Sequence, residues 1–212
     1  MSERGLILVD RDKKIMREID RWRVVQGRHI MALASFDGVR ACDRRLRKLA
    51  SAKYIKREKI LYGVAGIYSN TLLGAKVGGV PIAVRKIRLE QIIHDIAVLD
   101  TAIYFSKFHG VDFDSIKTEI ELHRLDGFGI RKHRPDFVFE KGGKTICVEV
   151  ELTLKSKDRF IKNIYDNFMK YDTQFWVVPD MNNKIAAILK EQNEIYPNIE
   201  IIEMKEVEKW KV

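Results

Sequence analysis

The chain has 212 residues, 46% of them hydrophobic and 33% charged, which is ordinary for a soluble globular protein with room for one large domain or two small ones. Its formal net charge of +9 is unevenly spread: residues 1–88 hold 21 Lys and Arg against 8 Asp and Glu, and residues 89–212 hold 18 against 22. No apolar run approaches the ~20 residues that span a bilayer, and the start, MSERGLILVDRD, lacks signal-peptide anatomy, so a cytoplasmic protein with no membrane partner is expected.

The charge asymmetry predicts a basic module that meets a polyanion, joined to a module of different purpose. No amphipathic anchoring helix stands out, so nucleic acid is favoured over a membrane surface. The first module is placed at residues 1–80. It opens with a helix over Asp10 to Trp22, with Ile15, Ile19 and Trp22 on one stripe. A short helix follows over Gly27 to Ala34, and a third over Gly38 to Ala52, capped by Ser35 or Asp37. Val39, Cys42, Leu46 and Leu49 of the third helix should face a core, leaving Arg40, Arg44, Arg45, Arg47 and Lys48 largely on its other faces. YIKREKILYGVAGIYSN then reads as two short strands with glycines near the bend.

Three helices and a hairpin are the order of a winged helix-turn-helix. The third helix would enter the major groove of double-stranded DNA, and Lys56, Arg57 and Lys59 of the hairpin would hold the phosphate backbone. A solvated basic face is the alternative reading of the same residues. Leu72 to Ala83, rich in glycine, reads as a turn or linker, and its spacing matches no phosphate-binding loop.

The second module, residues 81–212, begins with a long helix over Ile87 to His109 carrying a broad apolar stripe, with His94 beside it. TEIELHRL alternates as a strand does, although Asp114 could cap a short helix there. Beyond it, RPDFVFEKGGKTICVEVELTLKSK reads as a β-hairpin turning at Gly142-Gly143. If Glu140 pairs with Thr145, then Val138 faces Cys147 and Asp136 faces Glu149, with Glu151 on the same side as Glu149. Three crowded acids point either to a Mg²⁺ or Mn²⁺ site or to a solvated edge balanced by Lys155 and Lys157. A helix over Asp158 to Tyr171, the strand QFWVVP, a helix over Asn182 to Glu191 and the strand IEIIEM complete the chain. Cys42 and Cys147 both lie in apolar patterns and are expected as buried free thiols in a reducing compartment.

The expected fold is therefore mixed α+β or α/β, a winged helix-turn-helix followed by an αβββαβ domain with a mixed sheet. That second domain resembles the PD-(D/E)xK nuclease superfamily through Pro135-Asp136 and Glu149-Val150-Glu151. The resemblance implies Asp136 and Glu149 as ligands of Mg²⁺ or Mn²⁺, with Glu151 and Lys155 as further catalytic candidates. Glu151 stands where that superfamily usually has lysine. The chain as a whole resembles the replication-relaxation family of plasmids and conjugative elements, through FDGVRACDRRLRKLASAKYIKR, IYSNTLLG, IIHDIAVLD, PDFVFE and VEVELTLKSKDRF.

This resemblance implies a DNA-binding accessory or regulatory protein for replication, relaxation or mobilisation. Double-stranded DNA, a second copy of the chain, and replication or relaxosome proteins are its expected partners. It also singles out His94 and Lys155. The alternative is a Mg²⁺- or Mn²⁺-dependent endonuclease or nickase using Asp136, Glu149 and Glu151.

Overall fold

A computed structural model describes residues 6–81, 88–126, 132–154 and 156–211. The chain divides into two units, Met1–Leu99 and Asp100–Val212. The protein is mixed α+β: the described residues form nine α-helices, a small antiparallel sheet and a mixed five-stranded sheet. None of these helices is long and apolar enough to cross a membrane.

In the first unit, helices α1 (Asp10–Arg21), α2 (Gly27–Leu33) and α3 (Val39–Ser51) lie close to their expected bounds. Burying one apolar stripe of each builds the core: Ile15 and Ile19 from α1 with Trp22 just after it, Ile30 from α2, and Cys42, Leu46 and Leu49 from α3. Val39 is the exception. It is the first residue of α3, 60% exposed, and does not reach the core it was expected to face. Strands β1 (Val25–Gln26), β2 (Ile55–Glu58) and β3 (Ile67–Asn70) form an antiparallel sheet in the order β1-β3-β2. Val25 lies opposite Tyr68, and Ile55 opposite Asn70. A two-residue strand such as β1 leaves no periodic signal.

The segment expected to be a linker instead contains helix α4 (Leu72–Gly78); its residues 82–83 lie outside the described ones. Thr71 Oγ1 accepts the Gly74 N–H at 3.1 Å, satisfying a donor that the helix start leaves open. The glycines serve close approach. A Cβ at Gly74 would sit 1.9 Å from the Tyr54 carbonyl oxygen, and one at Gly78 would sit 2.9 Å from Met16 Cβ on α1.

Helix α5 (Ile92–His109), preceded by a single turn over Leu89–Gln91, runs through the boundary between the units. Its expected first residue, Ile87, lies outside the described residues. Within the first unit, Ile92 and Ile96 join Val24 and Ile67 in a core cluster.

The second unit differs from expectation at its start. TEIELHRL is not a strand: only Lys117–Thr118 pair, as β4, and helix α6 (Glu119–Asp126) follows. Glu121 accepts the Thr118 N–H at 2.8 Å, and Thr118 Oγ1 in turn accepts the Glu121 N–H at 3.3 Å. This reciprocal capping starts a helix where side-chain alternation had suggested a strand. Asp112 accepts the Asp114 N–H in a short turn upstream, and Thr118 stands at the start of α6.

Strands β5 (Phe137–Lys141), β6 (Lys144–Val150), β7 (Thr173–Val178) and β8 (Ile199–Glu203) complete a sheet in the order β4-β5-β6-β7-β8. The β4-β5-β6 pairs are antiparallel; β6-β7 and β7-β8 are parallel, reached through helices α7 (Lys157–Phe168) and α8 (Lys184–Asn193). Helix α9 (Met204–Val207) follows β8. Phe105 of α5 meets Phe139 and Phe175 with ring centroids 5.4 and 5.1 Å apart. Trp176 and Val178 pack with Phe160 and Ile164 of α7 and Ile185 and Leu189 of α8 in a separate cluster. Strand β6, with a neighbour on each side, is buried from Ile146 to Val150.

Candidate functional site

Two constellations carry chemistry, one in each unit. In the first unit, the outer side of α3 presents Arg40, Arg44, Arg47 and Lys48, all exposed. Its inner stripe of Cys42, Leu46 and Leu49 anchors the helix and leaves these cations to solvent. Burial pushes the Cys42 thiol up to about 11, with Asp43 adding to the effect, so it stays a protonated, unreactive core group.

Arg45 does not belong with the exposed set. Its Nε donates to Asp12 Oδ1 at 2.8 Å, its Nη2 donates to Asp12 Oδ2, and the same Nη2 reaches the Ile7 carbonyl at 2.8 Å. Asp12 is fully buried and also accepts the Val9 N–H at 2.8 Å. Hydrogen bonding to Asp12 holds the Arg45 pKa above its ordinary value despite partial burial. Arg45 therefore ties α3 to α1.

On the hairpin, Lys56, Arg57 and Lys59 are exposed. Lys56 pairs with Glu58 at 2.9 Å, Arg57 lies over the Tyr68 ring at 6.0 Å, and Lys59 over Tyr62 at 5.9 Å. Arg57 and Arg47 also line a groove of about 470 Å³ together with Arg28, Asp43, Gly66 and Tyr68. Sequence reading missed Arg28, because α2 is short and carries no basic run.

In the second unit the hairpin register is the expected one: Glu140 faces Thr145 and Val138 faces Cys147. The turn has Gly142 at φ 59° and Gly143 at φ 74°, a left-handed pair that glycine adopts without strain. The ladder closes with Phe137 opposite Val148, which brings Asp136 to the level of Glu149. Asp136 Oδ2 accepts the Val150 N–H at 2.7 Å.

Glu149 is 8% exposed on the central strand, so the solvated-edge reading fails. Its Oε1 accepts two hydrogen bonds, from His133 Nε2 at 2.7 Å and from Asn167 Nδ2 at 2.9 Å. Burial raises the Glu149 pKa, opposed by the bond and charge of His133. Burial lowers that of His133, but the Glu149 bond and the charges of Glu149, Asp166 and Asp136 outweigh it and leave His133 raised. Burial pushes the nearby Tyr171 hydroxyl up to about 12, with Cys147 and Glu149 adding to it. Burial also raises the Cys147 thiol well above its ordinary value. Both cysteines are buried and free, as expected.

Glu151 is half-buried and continues the sheet through its N–H to Val177 O at 2.9 Å. Among the described residues, no group of three or more His, Cys, Asp or Glu side chains is placed to hold a metal ion. The donor type suits Mg²⁺ or Mn²⁺, which take hard oxygens. Oε1 of Glu149 accepts two N–H donors, and Oδ2 of Asp136 accepts a third.

Lys155 lies outside the described residues. His94 Nδ1 lies 3.4 Å from Asp95 Oδ1, in the first unit. His133 and Asn167 were both missed. Asn167 occupies the inward stripe of α7 with Phe160 and Ile164, so an amide at an apolar-stripe position was the available signal. Compared with protein-family models, curated proteins and solved structures, the chain matches none.

Proposed function

We propose that the chain is a DNA-binding accessory or regulatory protein of a plasmid or conjugative element, docking on double-stranded DNA through its first unit. The observation that carries this reading is the exposed face of Arg40, Arg44, Arg47 and Lys48 on a helix whose other side is locked into a core. The order α1-β1-α2-α3-β2-β3, with a β1-β3-β2 antiparallel sheet, supports a winged helix. In that arrangement the α3 cations reach base edges or phosphates along the groove, while Lys56, Arg57 and Lys59 hold further phosphates. The second unit acts as a nuclease-like platform. The mobile-element assignment rests on the segments that resemble the replication-relaxation family.

Fluorescence anisotropy with a labelled origin-derived duplex tests the reading. Changing Arg40, Arg44, Arg47 and Lys48 together to Ala should weaken binding by more than tenfold. It should also reduce the slope of log affinity against log salt by roughly 3 to 4, the counterions released by four phosphate contacts. Unchanged affinity and slope in a folded variant would refute it. Supercoiled DNA incubated with Mn²⁺ separates binding from cleavage. Nicking lost in Asp136→Ala and Glu149→Ala would replace the platform reading with the endonuclease one.

A further inference from the structure

The first unit carries an inference that rests on the DNA-binding reading and extends it to α1. Two hollows border helix α3. One is the groove of about 470 Å³ lined by Arg47 and by Arg57 of the hairpin. The other, of about 270 Å³, opens beside α1 and is lined from α3 by Arg44, Arg45 and Lys48. A helical turn of about 100° per residue puts these three on one flank of α3, and Asp43 and Arg47 on the other. Arg11, exposed on α1, completes the second hollow. Its guanidinium carbon lies 4.6 Å from the centroid of the Phe36 ring, and its charge reaches Cys42 of α3. Arg45 is held by Asp12, which leaves Arg11, Arg44 and Lys48 as the exposed cations. Among the described residues that line this hollow there is no Asp or Glu.

We infer that this hollow seats one sugar–phosphate unit of double-stranded DNA, with Arg11 binding the phosphate on the strand opposite the one the hairpin holds. Three cations around one concavity, with no carboxylate in its lining, suit an anion. Beside them the lining is apolar, with Val9 50% exposed and Phe36 half-buried. A bare ion would leave these two side chains wet, whereas a deoxyribose covers them. The Phe36 ring steadies Arg11 without neutralising it, so less side-chain freedom is lost when the guanidinium meets an oxyanion. The placement of the two hollows assigns the strands. The major groove is about 12 Å wide and is bordered by one backbone on each side. A helix lying in it therefore meets phosphates along both flanks. Arg57 meets one strand from the hairpin, and Arg11 meets the other from α1.

The test uses the full chain and the labelled duplex, with affinity measured across a range of salt. Arg11→Ala should weaken binding by about three- to tenfold and lower the slope of log affinity against log salt by about 0.9, the share of one phosphate. Arg11→Lys keeps the charge, so it should keep the wild-type slope and recover part of the affinity. Duplexes carrying one uncharged methylphosphonate, moved stepwise along each strand, then locate the contact. At one position Arg11→Ala should cost nothing further, and Arg57→Ala should do the same at a position on the other strand. Unchanged affinity and slope in a folded Arg11→Ala, with wild type binding the duplex, would overturn the inference. So would Arg11 and Arg57 coupling to phosphates of the same strand. Inorganic phosphate is the control for a free-anion site. If it raises the melting temperature of wild type and not of Arg11→Ala, while both bind the duplex equally, the DNA backbone is not the occupant. Failure of the DNA-binding reading itself looks different: wild type does not bind the duplex, or the fourfold α3 variant binds as wild type does, and this inference falls with it.

Discussion

Arg45 grips Asp12 across 33 positions of sequence, with two guanidinium nitrogens on the two carboxylate oxygens. Such a bidentate pair joins α3 to α1 in a set geometry and engages both oxygens of the buried member. Arg45→Ala would leave the buried Asp12 carboxylate with the Val9 N–H but without its guanidinium partner. A loss of about 3 kcal/mol is expected, the scale of breaking a buried ion pair from one side. Arg44→Ala, one residue away and exposed, should change stability by less than about 0.5 kcal/mol. Urea unfolding of the two variants reads the difference, and equal losses would count against the role given to Arg45.

Helix α4 depends on two missing side chains. Gly74→Ala drives a Cβ into the Tyr54 carbonyl oxygen, a backbone atom that can yield only by moving the sheet. Gly78→Ala meets the Met16 Cβ at a longer distance. Overpacking should cost about 2–3 kcal/mol at Gly74 and about 1 kcal/mol at Gly78. Chemical denaturation that ranks the two the other way would show that α4 does not pack as described.

His109 gives the second unit a pH dependence. Its ring lies 4.8 Å from that of Phe105 and 5.1 Å from that of Tyr104. Burial, then the charge of Lys141, lowers its pKa from the ordinary 6.5. The unfolded chain therefore takes up this proton more readily than the folded one. The stability His109 contributes is full above 6.5 and is lost as pH falls from there through the lowered folded value. Between about pH 7.5 and about pH 5.5, wild type should lose more melting temperature than His109→Gln. Identical losses would remove His109 as the titrating group.

How much of this was legible follows from where each signal lies in the chain. The β5–β6 register was readable because it is local: two alternating strands and a Gly-Gly turn admit one pairing, and the structure has it. Helices α1 and α3 were readable because each buries a stripe at helical spacing. Three things were not. Arg45 flanks the buried stripe of α3, and only the position of Asp12 on another helix turns it inward. The glycines of α4 look like a linker in sequence, because glycine used for proximity and glycine used for turning are the same letter. His133 and Asn167 lie 16 and 18 residues from Glu149 and meet it only through tertiary folding. Thr118 and Glu121 were a missed opportunity. Their three-residue spacing is a helix-start signature, masked by the alternation of the residues between and beyond them.

The mixed pairing around β6 also sets an order of assembly. The β5–β6 hairpin closes through a two-residue turn and has little loop entropy to overcome. The β6–β7 pairing must wait for a whole helical crossover, a contact of higher sequence separation and slower closure. Glu149 is thus carried on an early element, while Asn167 arrives only as α7 docks. Until that happens its carboxylate is still hydrated, and the docking step bears the full desolvation of a buried acid. Variants at Asn167 should therefore slow folding less than they speed unfolding, marking the closing of this cluster as an event after the main barrier.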